Sequence, residues 1–365
     1  MGIRFDRDAK RATNGPLIFF SDAMSETAFS EEIRGAILSG LSFYSYRLPG
    51  DLMISFGSSE GYVEGIEMPG FVIGKFHPRL PYLTIPYRGG SRNEVNQGKY
   101  EIPVTSTEFT EYAMEVDEII SSLKQSGHRG KVVAARVIVK EETLDPAALF
   151  FTLLKKYPEA FVFCFSTPAT GCWIGASPEL LLESDEGMLN TMALAGTREA
   201  FTEGDWDMKN VEEQAMVTDY IADVFQRNSL KPEIGKNFTK RSGNIEHICT
   251  PISTQIAPGE NFNIEKLLRD LSPTPALCGE PREFALDIIE RYEGFDRGCY
   301  GGFCGPFHSL SDFRLNVVVR CASFNERRFC VYAGGGITLK SDIQKEWEET
   351  GEKAKALLDQ EIGKV

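Results

Sequence analysis

The chain of 365 residues is long enough for a large core, in one large α/β domain or in two smaller ones. Its 39 Lys and Arg face 53 Asp and Glu, and the net charge of −14 argues against nucleic acid or an anionic membrane surface as the main partner. No apolar run approaches the ~20 residues of a transmembrane helix, and the N-terminus lacks the apolar segment of a secretory signal, so we expect a cytoplasmic protein.

The cysteines and histidines indicate neither a disulfide framework nor a zinc site. The eight cysteines include no C-x-x-C pair and fall mostly in apolar runs, as Cys164 does in F-V-F-C-F. This usage is typical of buried free thiols in a reducing compartment. The four histidines are scattered, with none of the short spacings of a zinc motif.

Residues 1–105 are predicted to form a strand-rich scaffold. Short runs of β-forming residues are separated there by Gly, Pro and Ser, and no chemical motif falls among them. The predicted strands are Leu17–Phe20, Phe43–Arg47, Leu52–Phe56 and Gly70–Phe76, and an irregular loop is predicted for Pro81–Gln97. We therefore expect the chemistry to lie in the rest of the chain.

The first predicted helix is Thr107–Gln125, where apolar residues recur at the 3.6-residue spacing of one helix face. Thr105 and Glu108 have the spacing of a capping box at its start, and Gly127 is placed to end it.

Strands and helices alternate through the remainder. Strands are predicted at Lys131–Val139, Ala160–Ser166, Cys172–Gly175, Leu189–Ala195 and Ile245–Thr250, and a hairpin at Leu315–Phe324 and Arg328–Ala333. Helices are predicted after the Asp145-Pro146 cap and at Met208–Gln226, Phe262–Leu271 and Phe284–Tyr292. Because hairpins dominate over βαβ units, we expect an α+β fold in which large antiparallel or mixed sheets form a core flanked by helices. With no linker visible, residues 1–365 are predicted to form a single domain.

The stretch Val331–Lys353 has the pattern of an anion site. The apolar run up to Ala333 predicts a strand, Gly334–Gly336 predict a glycine turn, and Ser341 and Asp342 open a helix. A glycine turn before a helix lets backbone N–H groups approach a ligand closely.

Two helices carry acidic residues that suit a divalent cation. Glu346 and Glu349 are three residues apart and share a helix face, with Lys353 one turn further, and Glu213 lies on the helix Met208–Gln226. One glutamate from each of two facing helices would supply the one or two carboxylates that Mg2+ prefers. A solvated charged face gives the same pattern, so the acidic residues alone leave both interpretations open.

Lys131 and Glu179 are candidates for acid–base chemistry. Lys131 starts an apolar strand, where burial could lower its pKa and make it a general base, or it is an ordinary edge lysine. Glu179 lies among apolar neighbours, where it is either an acid of raised pKa or a turn residue.

Several short segments, none of which identifies a family by itself, are specific when they occur together in a fixed order. The chain contains, in this order, G-A-S-P-E-L-L-L-E, A-L-A-G-T-R, E-E-Q-A-M-V-T-D, H-I-C-T, T-P-A-L-C-G-E-P, E-R-Y-E-G-F-D-R-G-C-Y-G-G-F-C-G, V-V-V-R-C-A, Y-A-G-G-G-I and E-W-E-E-T-G-E-K. The series resembles the chorismate-binding enzymes, the relatives of anthranilate synthase component I. The resemblance covers residues 131–358, which we predict to be the catalytic part, whereas residues 1–105 match only loosely.

Within the family the chain resembles the isochorismate synthases. The position of Lys131 is a lysine in the branch that adds water at C2 of chorismate and a glutamine in anthranilate synthases. Ala195 stands where aminodeoxychorismate synthases have a nucleophilic lysine, so the resemblance excludes covalent attack on the ring. Ala276, which precedes Leu277, resembles the synthases that stop at isochorismate.

The resemblance implies a mechanism and a set of site residues. Lys131 would activate water, Glu179 would protonate the departing C4 hydroxyl, and Mg2+ held by Glu213 and Glu349, with Glu346 acting through water, would bind the ring carboxylate. The residues implied to hold the substrate carboxylates or line the pocket are Arg320, Gly334, Gly335, Gly336 and Lys353, then Gly196, Thr197, His247, Ala276 and Tyr300.

Some questions stay open at this point. Asn210 stands where many relatives have an acidic residue near the metal, which affects the expected metal affinity. A salicylate synthase, which goes on to eliminate pyruvate, and a relative that binds chorismate without turnover are the alternatives. The sequence leaves open whether the product feeds quinone or siderophore synthesis, and whether the protein is a monomer or a dimer.

Overall fold

The computed structural model describes residues 18–19, 26–87, 100–128, 130–242, 245–256 and 262–358. In these ranges the strands are β1 (Ile18–Phe19), β2 (Ser42–Arg47), β3 (Ser55–Ser59), β4 (Val63–Glu64), β5 (Gly70–Gly74), β6 (Leu83–Pro86), β7 (Lys131–Lys140), β8 (Phe161–Thr167), β9 (Gly171–Ser177), β10 (Leu180–Asp185), β11 (Met188–Glu199), β12 (Glu233–Ile234), β13 (Phe238–Ser242), β14 (Ile245–Gln255), β15 (Gly279–Glu280), β16 (Phe303–Ser309), β17 (Asp312–Val317), β18 (Cys321–Phe324) and β19 (Phe329–Ile337). The helices are α1 (Glu26–Leu38), α2 (Phe109–Ser126), α3 (Pro146–Lys156), α4 (Met208–Arg227), α5 (Ile264–Leu271), α6 (Arg282–Tyr292) and α7 (Ile343–Leu358).

The strands form two antiparallel sheets. The first has the order β1-β3-β2-β8-β9-β18-β19-β7-β15, and the second has the order β12-β14-β11-β10-β17-β16-β5-β6-β4, with β13 paired to β14. Large apolar side chains of both sheets, such as Phe163 and Phe71, are buried in one core cluster. The predicted α+β fold with large antiparallel sheets and flanking helices is therefore confirmed.

The strands of residues 1–105 belong to both sheets. In the first sheet β2 pairs with β8, and in the second sheet β5 pairs with β16. In the predicted loop Pro81–Gln97, Leu83–Pro86 is a strand, and residues 88–97 lie outside the described part of the chain. Of the predicted strand Leu17–Phe20, the structure describes Ile18 and Phe19. The strand predicted at Leu52–Phe56 begins only at Ser55.

Helix α1 escaped prediction although its sequence contains the necessary pattern. Phe29, Ile33 and Ala36 recur at helical spacing and are buried. This apolar stripe is short, polar residues and Gly35 interrupt it, and the region otherwise favours strands, so the helix was not predicted.

Helix α2 begins later than predicted because the preceding residues are tied to a strand. Thr107 exchanges two hydrogen bonds with the backbone of Val137, one of them through its hydroxyl group at 3.1 Å. The cap therefore falls at Glu108, whose backbone N–H donates to the Glu111 carboxylate at 3.0 Å, so the predicted Thr105–Glu108 capping box is wrong. Gly127 ends the helix with φ of 70°, as predicted.

The predicted hairpin near the C-terminus is divided between the two sheets. The segment Leu315–Phe324 is not one strand, because β17 lies in the second sheet and β18 in the first. The hairpin in the first sheet consists of β18 and β19.

The glycine turn predicted at Gly334–Gly336 is also wrong, since these glycines are the last part of strand β19. Gly334, Gly335 and Gly336 pair with Ala135, Ala134 and Val133 of β7. The chain turns only afterwards, and Asp342 caps α7 by accepting a hydrogen bond from the Lys345 N–H at 3.0 Å.

All eight cysteines are free thiols, and seven of them are buried. In the ranges that the structure describes, no helix combines the length and the apolar character needed to cross a membrane.

Candidate active site

The candidate site forms where the chain passes between the two sheets. Glu179 lies in the short connection from β9 in the first sheet to β10 in the second, and Arg320 lies in the return connection from β17 to β18. The two connections are joined by hydrogen bonds from Val317 N–H to the Glu179 carbonyl at 3.1 Å and from Ala176 N–H to the Arg320 carbonyl at 3.2 Å. The side chains of these two candidate residues are thus attached to backbone that both sheets hold.

Arg320 has a backbone conformation that is rare for a residue with a side chain. Its φ of 50° lies in the left-handed region. The neighbouring Gly175 leaves room for it, because a Cβ at Gly175 would lie 2.8 Å from the Arg320 carbonyl oxygen. Strained backbone of this kind concentrates at functional sites, where the surrounding structure enforces it.

The pKa of the Glu179 carboxyl group is raised into the neutral range. Burial raises the pKa of its carboxyl group to about 7, against the opposing effects of a hydrogen bond from Thr274 and the positive charges of Lys131, Lys240 and Arg320. The Thr274 hydroxyl group donates to Oε1 of Glu179 at 3.3 Å. At pH 7 a large fraction of these carboxyl groups therefore carries a proton.

Lys131 is the first residue of β7, as predicted, and its side chain passes Gly336 of the neighbouring strand β19. A Cβ on Gly336 would lie 3.3 Å from Cδ of Lys131, so the glycine leaves room for the lysine side chain. The charge of Lys131 acts on Glu179. The two predicted catalytic residues are therefore close enough to interact electrostatically.

His247 in β14 is neutral at pH 7. Burial lowers the pKa of His247 to about 4, and the charges of Arg320, Lys353 and Lys240 disfavour its protonation further. Its Nδ1 lies 3.0 Å from the carbonyl oxygen of Gly196. Because a carbonyl oxygen can only accept, the hydrogen of the neutral ring is placed on Nδ1 and Nε2 is an acceptor.

Gly196 lies in a β-bulge that shapes this part of the site. The register between β11 and β14 shifts between Ala195 and Arg198. Gly196 has φ of 70°, and a Cβ there would lie 3.0 Å from Oδ1 of Asn210 at the start of α4. Thr197 belongs to the same strand, but its side chain lies outside the described residues.

Each glycine of β19 lies against a different predicted site residue. A Cβ on Gly334 would lie 2.9 Å from Oη of Tyr300, and a Cβ on Gly335 would lie 3.0 Å from Oε2 of Glu346. Nζ of Lys353 donates to the Gly334 carbonyl oxygen at 2.9 Å. Gly334 and Gly335 therefore let Tyr300 and helix α7 lie close to the strand, which is the role of glycine where elements approach closely.

The predicted acidic residues lie on the two expected helices. Glu349 on α7 pairs with Lys353 at 2.9 Å, and Glu213 on α4 is half-buried one turn after Asn210. The Asn210 side chain donates to the Asp207 carboxylate at 2.7 Å, so it supports the start of α4.

These acids offer the carboxylate oxygens that suit Mg2+. Gly335 leaves room for the Glu346 carboxylate beside the glycine strand, where a Cβ would otherwise intrude. Within the described part of the chain, no group of three or more His, Cys, Asp or Glu side chains is arranged to hold a metal ion. One or two carboxylates with substrate oxygens and water are sufficient for Mg2+, so the carboxylates on these two helices are of the type that suits this ion.

Two residues of the site were missed by sequence reasoning. Thr274, which donates to Glu179, lies in the segment T-P-A-L-C-G, from which only Ala276 was selected. Ala276 itself is partly buried against the core. Lys240 acts electrostatically on both Glu179 and His247. No sequence signal pointed to Lys240, because its strand β13 was not predicted.

Comparison with known proteins shows the family to which the chain belongs. A family model described as "Chorismate binding enzyme" matches residues 89–360. Because this match covers well over half of the chain, the protein belongs to the family of chorismate-binding enzymes.

Among the individual proteins that resemble this chain are several isochorismate synthases. The isochorismate synthase EntC of Escherichia coli (strain K12) is 31% identical over 244 residues, covering 63% of this chain but only 61% of that relative. The isochorismate synthase MenF of Pasteurella multocida (strain Pm70) is 28% identical over 377 aligned positions, covering 97% of this chain and 85% of that relative. The solved structure of the menaquinone-specific isochorismate synthase MenF from Escherichia coli matches with a TM-score of 0.74 at 21% identity, over 94% of each chain. This structural match confirms the fold.

Proposed function

We propose that the protein is an isochorismate synthase, which converts chorismate to isochorismate with Mg2+ as cofactor. The observation that supports the proposal is the electrostatic interaction of Lys131 with Glu179, whose carboxyl pKa is raised by burial to about 7. A lysine and a protonated carboxyl group are the base and acid that water addition with loss of a hydroxyl group requires. The relatives named isochorismate synthase support the same assignment.

The proposed reaction adds water at C2 of chorismate and removes the C4 hydroxyl group. The amine of Lys131 acts as the base and takes a proton from the attacking water as the water oxygen bonds to C2. The ring double bonds shift, the C4–O bond breaks, and Glu179 gives its proton to the departing hydroxyl group, which leaves as water. Solvent returns the two groups to their starting protonation states, so the net reaction is an isomerisation.

The cations of the site would bind the dianionic substrate. Arg320, the backbone of Gly334–Gly336 and Lys353 would hold the carboxylates, since a guanidinium group suits a carboxylate well. Neutral His247 would offer Nε2 as an acceptor, and Gly196, Thr197, Ala276 and Tyr300 would line the remaining wall.

Glu213 and Glu349 would hold Mg2+, with Glu346 acting through water. When bound, the ion would supply positive charge to the ring carboxylate as the double bonds shift. Glu349 also pairs with Lys353, so helix α7 would carry both a ligand of the metal and the lysine that binds the substrate.

Two other functions are distinguished by the products. A salicylate synthase would form isochorismate and then eliminate pyruvate, and the Ala276-Leu277 sequence favours the enzyme that stops earlier. A non-catalytic relative would bind chorismate and leave it unchanged, whereas the acid, the lysine and the acidic residues are all present here.

The test is to incubate the protein with chorismate and Mg2+, and then to separate the products and measure pyruvate. Isochorismate without pyruvate is the expected result. Salicylate with an equal amount of pyruvate would replace the proposal by the first alternative, and unchanged, bound chorismate would replace it by the second.

A further inference from the structure

The ammonium group of Lys240 has an unusual environment inside the candidate site. Lys240 is half-buried on β13, and its Nζ donates to Sδ of Met192 at 3.3 Å. Within the described ranges this sulfur atom is its hydrogen-bond acceptor, and no carboxylate forms an ion pair with it. A thioether is a weak acceptor, whereas an ammonium group carries three donors.

Strand register places Lys240 on the same face of the sheet as His247. Lys240 on β13 is paired with His247 on β14, and Met192 on β11 is paired with Pro251 of the same strand. Residues paired directly across antiparallel strands lie on one face of the sheet. Lys240 therefore lies on the face that carries His247, and its positive charge acts on His247 and on Glu179.

The nearby acidic groups are engaged elsewhere. Glu183 pairs with Arg314, and Glu179 accepts a hydrogen bond from Thr274. Burial lowers the pKa of Lys240 and the positive charge of Arg314 lowers it further, against the opposing effects of Cys249, Glu179 and Glu183. The ammonium group of Lys240 is partly removed from water and has only a thioether as hydrogen-bond acceptor among the described residues. Binding of an anionic ligand would therefore stabilise it.

Lys240 and Arg320 share the same neighbours in the site. The charges of both residues act on Glu179 and on His247. The ring carboxylate is assigned above to the acidic helices and Mg2+. The second carboxylate of the substrate is therefore the group that remains for the Lys240 and Arg320 side of the pocket.

We propose that Lys240 is a substrate-binding residue that, together with Arg320, holds the enolpyruvyl carboxylate of chorismate. The inference rests on the proposed function for the identity of the ligand. It adds to that function a third cation, from a strand that carries none of the other assigned residues, and it gives the site a specificity for substrates with this second carboxylate.

The test compares Lys240→Met, Lys240→Arg and, as a matched control, Lys236→Met. Lys236 is exposed and precedes the same strand, so the control makes the same change in charge and side-chain length outside the site. Chorismate affinity is measured by calorimetry and, separately, KM and kcat are measured. Loss of a charged hydrogen bond predicts a KM and Kd about tenfold or more higher for Lys240→Met, with a smaller change in kcat. Lys240→Arg should restore most of the affinity, and Lys236→Met should match the parent.

A second ligand separates a binding role from a structural one. Chorismate esterified at the enolpyruvyl carboxylate should bind the parent and Lys240→Met equally, because the esterified group lacks the charge that Lys240 is proposed to hold. Equal chorismate affinity in Lys240→Met and the parent would overturn the role of Lys240 alone. Should Lys240→Met not fold, Lys240→Gln supplies the same comparison. A parent protein that binds chorismate but forms no isochorismate would overturn the proposed function, and the calorimetric comparison would still test Lys240.

Discussion

The hydroxyl group of Thr274 donates a hydrogen bond to Oε1 of Glu179 at 3.3 Å. This bond stabilises the ionised carboxylate and so holds the pKa of Glu179 below the value that burial alone would give. The loop containing Thr274 therefore sets the pH at which the proposed acid carries its proton.

Replacing Thr274 by valine should move the pH dependence of activity. Glu179 must be protonated to release the C4 hydroxyl group, so the parent activity should fall as the pH rises through about 7, the pKa of the carboxyl group. Removal of the donor raises this pKa further, and the alkaline limb of the kcat profile should move to higher pH. Thr274→Ser keeps the hydroxyl group and should keep the parent profile. If the alkaline limb of Thr274→Val stays where it is in the parent, the group that titrates in this limb is not Glu179.

Lys131→Ala should abolish turnover and leave chorismate binding measurable. A positioned general base contributes about 10²–10⁴-fold to a rate, and alanine supplies no replacement. The measurement combines steady-state kinetics with calorimetric binding of chorismate in the presence of Mg2+. Lys124→Ala on the exposed surface of α2 is a suitable control. An active Lys131→Ala enzyme would falsify the role of Lys131 as base.

Glu349→Gln should raise the Mg2+ concentration needed for half-maximal activity by about tenfold or more, because a neutral amide is a poorer ligand for this ion. Glu213→Gln should have the same effect from the other helix. Glu348→Gln makes the same chemical change one residue away on α7 and should leave the titration unchanged, since Glu348 accepts a hydrogen bond from Gln344 on the exposed side. Magnesium titrations that coincide for Glu349→Gln and the parent would refute the metal assignment.

Gly35→Ala should stabilise the protein by about 0.5–1 kcal/mol, because Gly35 is an exposed position inside α1 where glycine weakens a helix. A Cβ at Gly35 meets no atom within 4 Å. Gly127 is the matched control, since a Cβ there is equally unobstructed but the backbone has φ of 70°. Gly127→Ala should therefore destabilise by about 1–2 kcal/mol. Urea unfolding of both variants checks the pair, and a destabilised Gly35→Ala protein would contradict the assigned helix.

The sequence predicted those features of the fold that depend on short-range patterns. Helix α3 begins at the predicted Asp145-Pro146 cap, where the Asp145 carboxylate accepts from Ala147 N–H at 3.1 Å. Strand β7 begins at Lys131 as predicted. By contrast, local rules predict a turn at the glycines of β19, whereas these glycines lie within the strand and leave room for Tyr300 and Glu346.

The assembly of the site could not be derived from local patterns. Glu179 and Arg320 meet because two connections cross between the sheets at the same place, and no periodicity in the sequence encodes that crossing. Lys240 belongs to F-T-K-R-S, which lacks the apolar alternation of a predictable strand. Resemblance to a known family supplied the roles of the site residues, and the structure added Thr274 and Lys240.

The most direct test of the central claim is conversion of chorismate in water enriched in oxygen-18, followed by mass spectrometry of the product. Addition of water at C2 predicts isochorismate that carries one solvent oxygen at C2, formed only when Mg2+ is present. Isochorismate without the heavy isotope would show that the hydroxyl group migrates within the substrate, which contradicts activation of water by Lys131. Absence of isochorismate would contradict the proposed function itself.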